Sequence, residues 1–209
     1  MKDIYILGSG GFAKEVYFLI KEINKYNVKG FIDIESSDSL IFKEKSIPIL
    51  SEEEFLILKF ETPPSLAIGV GEPKLIDKLT NKFKNFHFPN LIHPSVVFDK
   101  ENVTFGIGNI VTAGVIFTTQ IRIENFNIFN LSTTIGHDVF INSYNVINPT
   151  VNISGGVEIG SCNLLGVAAT ILQYKKIGNN STVGASSLVT KDVGDNQIVF
   201  GVPAKKFNK

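Results

Sequence analysis

The sequence predicts two parts: a truncated Rossmann-like α/β domain over residues 1–90, then an all-β parallel helix of hexapeptide coils with a C-terminal tail over 91–209. Two observations carry this. From Phe105 to Val189 every sixth residue is apolar, fifteen positions in succession, beginning Phe105, Val111, Phe117, Ile123 and Phe129. Residues 4–34 read as strand, glycine-rich turn, helix and strand. An α-helix repeats at 3.6 residues and a lone strand at 2, so a strict six belongs to neither. Six residues per face and three faces make a coil of about 18 residues, with short parallel strands stacked ~4.8 Å apart. The anchors fill the prism, and the residue after each anchor, often Gly or Asn (Gly106, Gly136, Asn142, Gly160), is expected to turn its corners.

The first part follows in order. Ile4 to Leu7 is a short β-type run that stops at Gly8-Ser9-Gly10-Gly11. Ala13, Val16, Tyr17, Ile20 and Ile23 then fall at helical spacing, and Val28 to Ile34 supplies the next strand, with Asp33 near its end. Gly8, Gly10 and Ala13 followed by Asp33 match a dinucleotide fingerprint in form. Backbone without side chains lets a diphosphate reach the N–H groups of a helix start, and a carboxylate at the second strand accepts from a ribose or base. The same glycines also suffice for a tight turn. A strand at 47–50, a helix opened by Ser51, a strand at 66–70, a helix at 73–83 and a strand at 88–92 complete the unit, with a linker at Asn90–Pro94. That is too little for a second mononucleotide half, so one nucleotide diphosphate, as in an activated sugar, fits better than NAD.

Lys plus Arg balance Asp plus Glu at twenty each, which removes the charge argument for nucleic acid or an anionic membrane surface. No run approaches the length of a membrane span, the start lacks a signal-peptide pattern, and Cys162 has no partner cysteine, so a cytoplasmic protein is expected.

Three motifs lie in order along the chain: Gly8-Ser-Gly-Gly-Phe-Ala-Lys-Glu-Val16, Asn130-Leu-Ser-Thr-Thr-Ile-Gly-His-Asp138 and Gly201-Val-Pro-Ala-Lys205. With the hexapeptide ladder they make the chain similar, over essentially its whole length, to the sialic-acid O-acetyltransferase and bacillosamine-pathway sugar N-acetyltransferase family. The resemblance implies a left-handed coil, a homotrimer, acetyl-CoA as acyl donor, and an active site between neighbouring subunits. No metal is expected to take part.

Of three histidines, His87 and His93 lie outside the regular coils, while His137 sits at a coil corner before Asp138. A neutral imidazole suits removal of a nucleophile's proton, and an adjacent carboxylate either orients the ring or leaves that to a distant group. One coil beyond His137 is Gly155, whose uncovered N–H fits an oxyanion donor as well as it fits a plain corner. By the resemblance Asn130 contacts the sugar or the histidine, although asparagine ladders also occur in coils for structural reasons. By the same resemblance Val167, Gly184, Ala185 and Gly155 lie along the CoA groove, and Lys205 either reaches its phosphates or belongs to a solvated tail. Gly8, Ser9, Gly10, Gly11 and Asp33 are expected to hold the nucleotide. Two departures bear on the acceptor: relatives often have a second histidine where Asn145 is expected to stand, and a histidine in the glycine loop where this chain has Phe12.

The expected activity is acetyl transfer to the amine of a nucleotide-linked amino-deoxy sugar. O-acetylation of a sialic-acid-like sugar is the alternative, and a catalytically silent sugar-nucleotide-binding or scaffold protein the alternative from another class. A three-histidine zinc hydratase lacks its ligands.

Overall fold

The computed structural model describes residues 1–43 and 45–207. Its first part runs β1 (Lys2–Leu7), α1 (Gly11–Ile23), β2 (Tyr26–Asp33), β3 (Ser37–Phe42), β4 (Lys45–Ser51), α2 (Glu52–Ile57), β5 (Ser65–Ile68) and α3 (Pro73–Lys82). The sheet order is β3-β4-β2-β1-β5, parallel except for β3. α1 buries Ala13, Val16, Tyr17, Leu19 and Ile20, the face that its apolar spacing dictates. Ser51 opens α2 with a reciprocal capping box to Glu54.

Two elements differ from the sequence reading. β3 is unforeseen, because an exposed edge strand beginning Ser37-Asp38-Ser39 has no alternation to betray it. It is held by pairing with β4 and by Phe42, whose ring lies 4.1 Å from that of Tyr17. The strand expected at 88–92 does not join the α/β sheet. Only a bridge from Ser65 to His87 does, and Leu91–Ile92 pairs instead with Ile110–Val111 in the coil. The expected linker at Asn90 is therefore the first rung: Asn90 Nδ2 donates to the Gly106 carbonyl and its Oδ1 accepts the Asn109 N–H.

The second part is a left-handed parallel β-helix of three faces. One face climbs from Val97–Phe98 to Leu188–Val189, the next from Val103–Phe105 to Lys176–Ile177, the third from Leu91–Ile92 to Ile198–Phe200. The pairing register is eighteen residues, as in Thr134 with Asn152. Fourteen of the fifteen anchors are fully buried, and Phe105, near the first turn, partly so. There Phe98, Phe105, Phe117 and Phe129 meet edge to face, with centroids 5.0 to 5.7 Å apart.

The corners turn differently from expectation. The left-handed residue is the third after each anchor, not the first: every sixth residue from Gly108 to Ser186 has φ between 54° and 74°. Only Gly108, Gly114 and Gly156 among these fourteen are glycine. A non-glycine residue resists this conformation, but from Phe126 onward each is locked by a backbone bond to the coil before. Asp138 N–H donates to Thr119 O, Tyr144 N–H to Asn125 O and Gly156 N–H to His137 O.

The α/β part docks on the third face. Ile110, Ile128 and Val146 point outward from the coil yet are 1–2% exposed, because they share one core with residues of the α/β domain such as Leu19 and Phe88.

Candidate active site

Corner residues fall into three columns, which separate the expected site residues. His137, Asp138 and Gly155 lie between the first and second faces, on the His137 corner. Asn145 lies between the second and third, on the Tyr144 corner. Asn130, Val167, Gly184 and Ala185 lie between the third and first, on the Val167 corner.

On the His137 corner, the His137 ring and Asp138 carboxylate bond at 2.7 Å between Nδ1 and Oδ2. A carboxylate only accepts, so Nδ1 carries the proton there and Nε2 is left with its lone pair. Adjacent residues can meet in this way because Asp138 is left-handed, at φ 58°. The ring lies over Gly155: a Cβ built there would be 2.5 Å from Nε2. Gly155 N–H donates to no protein acceptor among the described residues. The equivalent N–H of Thr119, His137 and Gln173 is free in the same way, so what distinguishes Gly155 is that it carries no side chain of its own. Both side chains of the pair are more than half exposed, at 56% and 64%.

Asn145 requires a correction. It is an inward rung, 0% exposed, in a ladder with Asn109, Asn127 and Asn163. Its Nδ2 donates to Asn127 Oδ1 and to the Asn142 and Gly160 carbonyls, while its Oδ1 accepts from Asn163. No part of it reaches solvent, so it is not a ligand contact. Asn130 is 7% exposed, and its Nδ2 bonds Asn148 Oδ1 at 3.4 Å. Its Oδ1 is buried without a partner, and it stands one corner away from His137.

In the glycine loop, Gly8 has φ 103°, and a Cβ there would strike Val70. Asp33 does not wait for a ribose with both oxygens. Oδ2 accepts the Ser9 N–H at 3.0 Å and the Ser9 hydroxyl, and Oδ1 accepts the Ile34 N–H at 2.8 Å. It holds the loop in shape. Gly10 and Gly11 face open space, and α1 starts without a side-chain cap, leaving its first N–H groups free for an anion. Phe12 packs on the domain core.

On the Val167 corner Val167 is 47% exposed and Ala185 is also exposed. Gly184 admits the close approach of Phe200, whose Cβ lies 2.7 Å from where a Gly184 Cβ would sit. The terminal turn at Gly201–Pro203 folds back so that Lys205 pairs with Phe200, and Lys205 and Lys206 are both exposed. His87 bonds Ser65 and His93 bonds Ser95. Among the described residues no three His, Cys, Asp or Glu side chains converge on one point, and no helix is long and apolar enough to cross a membrane.

The sequence reading missed Tyr174. One coil past Gly156, its ring lies over that glycine as His137 lies over Gly155.

Residues 3–83 match the PglD N-terminal domain family. A histidine-to-asparagine variant of perosamine N-acetyltransferase from Caulobacter crescentus, in complex with CoA and GDP-perosamine, superposes with TM-score 0.92 at 28% identity. The match covers 100% of this chain and 98% of that one. The chain is a hexapeptide-repeat acyltransferase. The fold of the enzyme is shared by the acetyltransferase domain of PglB from Neisseria gonorrhoeae in complex with acetyl coenzyme A, at TM-score 0.88, 22% identity and 99% coverage of both chains. WeeI from Acinetobacter baumannii has the same fold at TM-score 0.87 and 23% identity, covering 99% of this chain and 100% of that one. No curated protein matches the enzyme by sequence.

Proposed function

We propose that the enzyme transfers acetyl from acetyl-CoA to the amine of a nucleotide-linked amino-deoxy sugar. One observation carries the reading: an exposed imidazole, tied through Nδ1 to Asp138, presents a basic Nε2 over the bare backbone of Gly155. The full-length likeness to a perosamine N-acetyltransferase with CoA and GDP-perosamine bound supports the donor and the acceptor class.

The chemistry follows from that geometry. The acceptor amine, arriving neutral, attacks the thioester carbonyl carbon as Nε2 of His137 takes its proton. Asp138 stabilises the imidazolium so formed. Gly155 N–H donates to the carbonyl oxygen as it gains charge. The tetrahedral intermediate collapses by breaking the C–S bond, and the imidazolium returns its proton to the leaving thiolate. The products are the amide and free CoA.

The open N–H groups of Gly10 and Gly11, in a loop shaped by Ser9 and Asp33, receive the nucleotide diphosphate. Val167, Gly184 and Ala185 lie on one corner and fit the pantetheine of CoA, and the exposed Lys205 of the terminal strand is available to its phosphates. That corner and His137 are on different edges of one prism, so a complete site needs a second copy, and we place it at the subunit interfaces of a homotrimer. The two domains divide near residue 90, and the enzyme acts in the cytoplasm.

The test is an acceptor screen with acetyl-CoA, reading thiol release across GDP-, UDP- and dTDP-linked amino sugars, and sialic acids. Release with an amino sugar, and an amide in the product, is expected. Turnover with sialic acids alone would replace the amine by a hydroxyl acceptor, and no turnover with any would remove the reading.

A further inference from the structure

We infer that Tyr174 is the wall that limits the acyl group, a specificity-determining residue for the donor. The inference rests on the acyl-transfer reading above. On the His137 corner Gly155 and Gly156 form a floor two residues wide. The His137 ring covers the first from the coil before, and the Tyr174 ring covers the second from the coil after. A Cβ on either glycine would fall inside the contact distance of the ring above it. The two rings therefore flank one glycine pair from the two neighbouring coils, and the acyl slot of this inference is the space between them. Leu172, 38% exposed, stands on the same corner beside Tyr174.

The chain contains its own control. Phe126 lies over Gly108 in the same manner on the Tyr144 corner. There the ring is 9% exposed and packed between Phe88 and Tyr144, so it fills a core. Tyr174 is 66% exposed, and no aromatic ring of the described residues stacks on it. Its backbone is already locked, with its N–H donating to Gly155 O at 3.0 Å. The ring is thus not needed to close a core, and it stands exposed beside the glycine that follows Gly155.

Orientation follows from the chemistry. With the carbonyl oxygen at Gly155 N–H, the attacking amine must come from the side of His137 Nε2. The acyl tail is then left on the side that Tyr174 bounds. Each extra methylene has to displace that ring or leave the slot.

The experiment compares kcat/KM for acetyl-, propionyl- and butyryl-CoA with the acceptor held saturating. Because one methylene against a fitted wall changes discrimination by roughly 10-fold or more, the natural enzyme should favour acetyl over butyryl by at least that factor. Tyr174→Ala should reduce the preference to within about threefold, raising KM for acetyl-CoA while leaving acceptor KM in place. Tyr174→Phe should restore the preference, since the wall is the ring face. If the alanine variant proves unstable on thermal unfolding, Tyr174→Leu, with less reach, should narrow the preference in the same direction. An unchanged chain-length preference in Tyr174→Ala or Tyr174→Leu, with His137→Ala inactive, would overturn the wall and leave the function standing. Absence of transfer from any acyl-CoA by the natural enzyme would overturn both.

Discussion

The His137 corner and the Tyr144 corner are built to one plan and end in opposite uses. Each places a left-handed residue every eighteen positions: Gln120, Asp138, Gly156 and Tyr174 on the first, Phe126, Tyr144, Cys162 and Asn180 on the second. Each lays an aromatic ring over a glycine one coil earlier. The difference is cover. α3 and Phe88 close the Tyr144 corner, where Phe126 and Tyr144 stack at 5.7 Å in one core with the α/β domain. Among the described residues nothing closes the His137 corner, where the ring pair stays more than half exposed. A repeat thus supplies equivalent positions, and docking of the α/β domain decides which of them remain free for chemistry.

The comparison is broken most severely by removing the base. His137→Ala should lower kcat for acetyl transfer by about 10²- to 10⁴-fold, with the unfolding midpoint unchanged because the ring is exposed. A rate near that of the natural enzyme would take the chemistry away from this corner. The covered corner should respond the other way. Phe126→Ala should cost about 3 kcal/mol of stability in a denaturant titration, because it empties a site shared by both domains. A loss near zero would mean that the docking is not held there.

A smaller effect sharpens the same contrast. Burial, then the nearby Asp77 and Glu72, push the Cys162 thiol up from its ordinary range. A raised thiol pKa means less thiolate at any pH below it, so reactivity appears only as pH rises past the usual value. Alkylation of Cys162 by iodoacetamide near pH ~8 should run several-fold slower than that of a free cysteine. A rate equal to free cysteine would show that the corner opens readily.

Much of this was legible in the sequence, and the failures have physical causes. The anchor ladder fixed the coil because burial of one residue in six is an energetic demand that composition records directly. The step of eighteen brought Gly155 to His137. The corner conformation was not legible, since left-handed Phe126, Ser132 and Tyr144 are held by bonds to the previous coil rather than by their own preference. Asn145 was misplaced because an asparagine inside a prism and one outside it look alike in sequence; only its ladder of hydrogen bonds separates them. Asp33 was read as a ligand acceptor, and its bonds to Ser9 and Ile34 depend on loop geometry that spacing does not specify. Tyr174 had a signal, eighteen beyond the second glycine of the pair, that only the coil register makes meaningful.

The central claim is that bare backbone at Gly155, beneath the His137 ring, seats the thioester. Gly155 lies outside the left-handed region, so alanine fits the backbone, and the nearest atoms its methyl meets are those of the movable His137 imidazole. The decisive measurement is kcat/KM for acetyl transfer by Gly155→Ala beside its thermal unfolding. A fall of at least about tenfold at an unchanged midpoint is expected, since a displaced base and a covered donor each weaken the transition state. A rate within about twofold of the natural enzyme would contradict the account, because the carbonyl would then sit elsewhere.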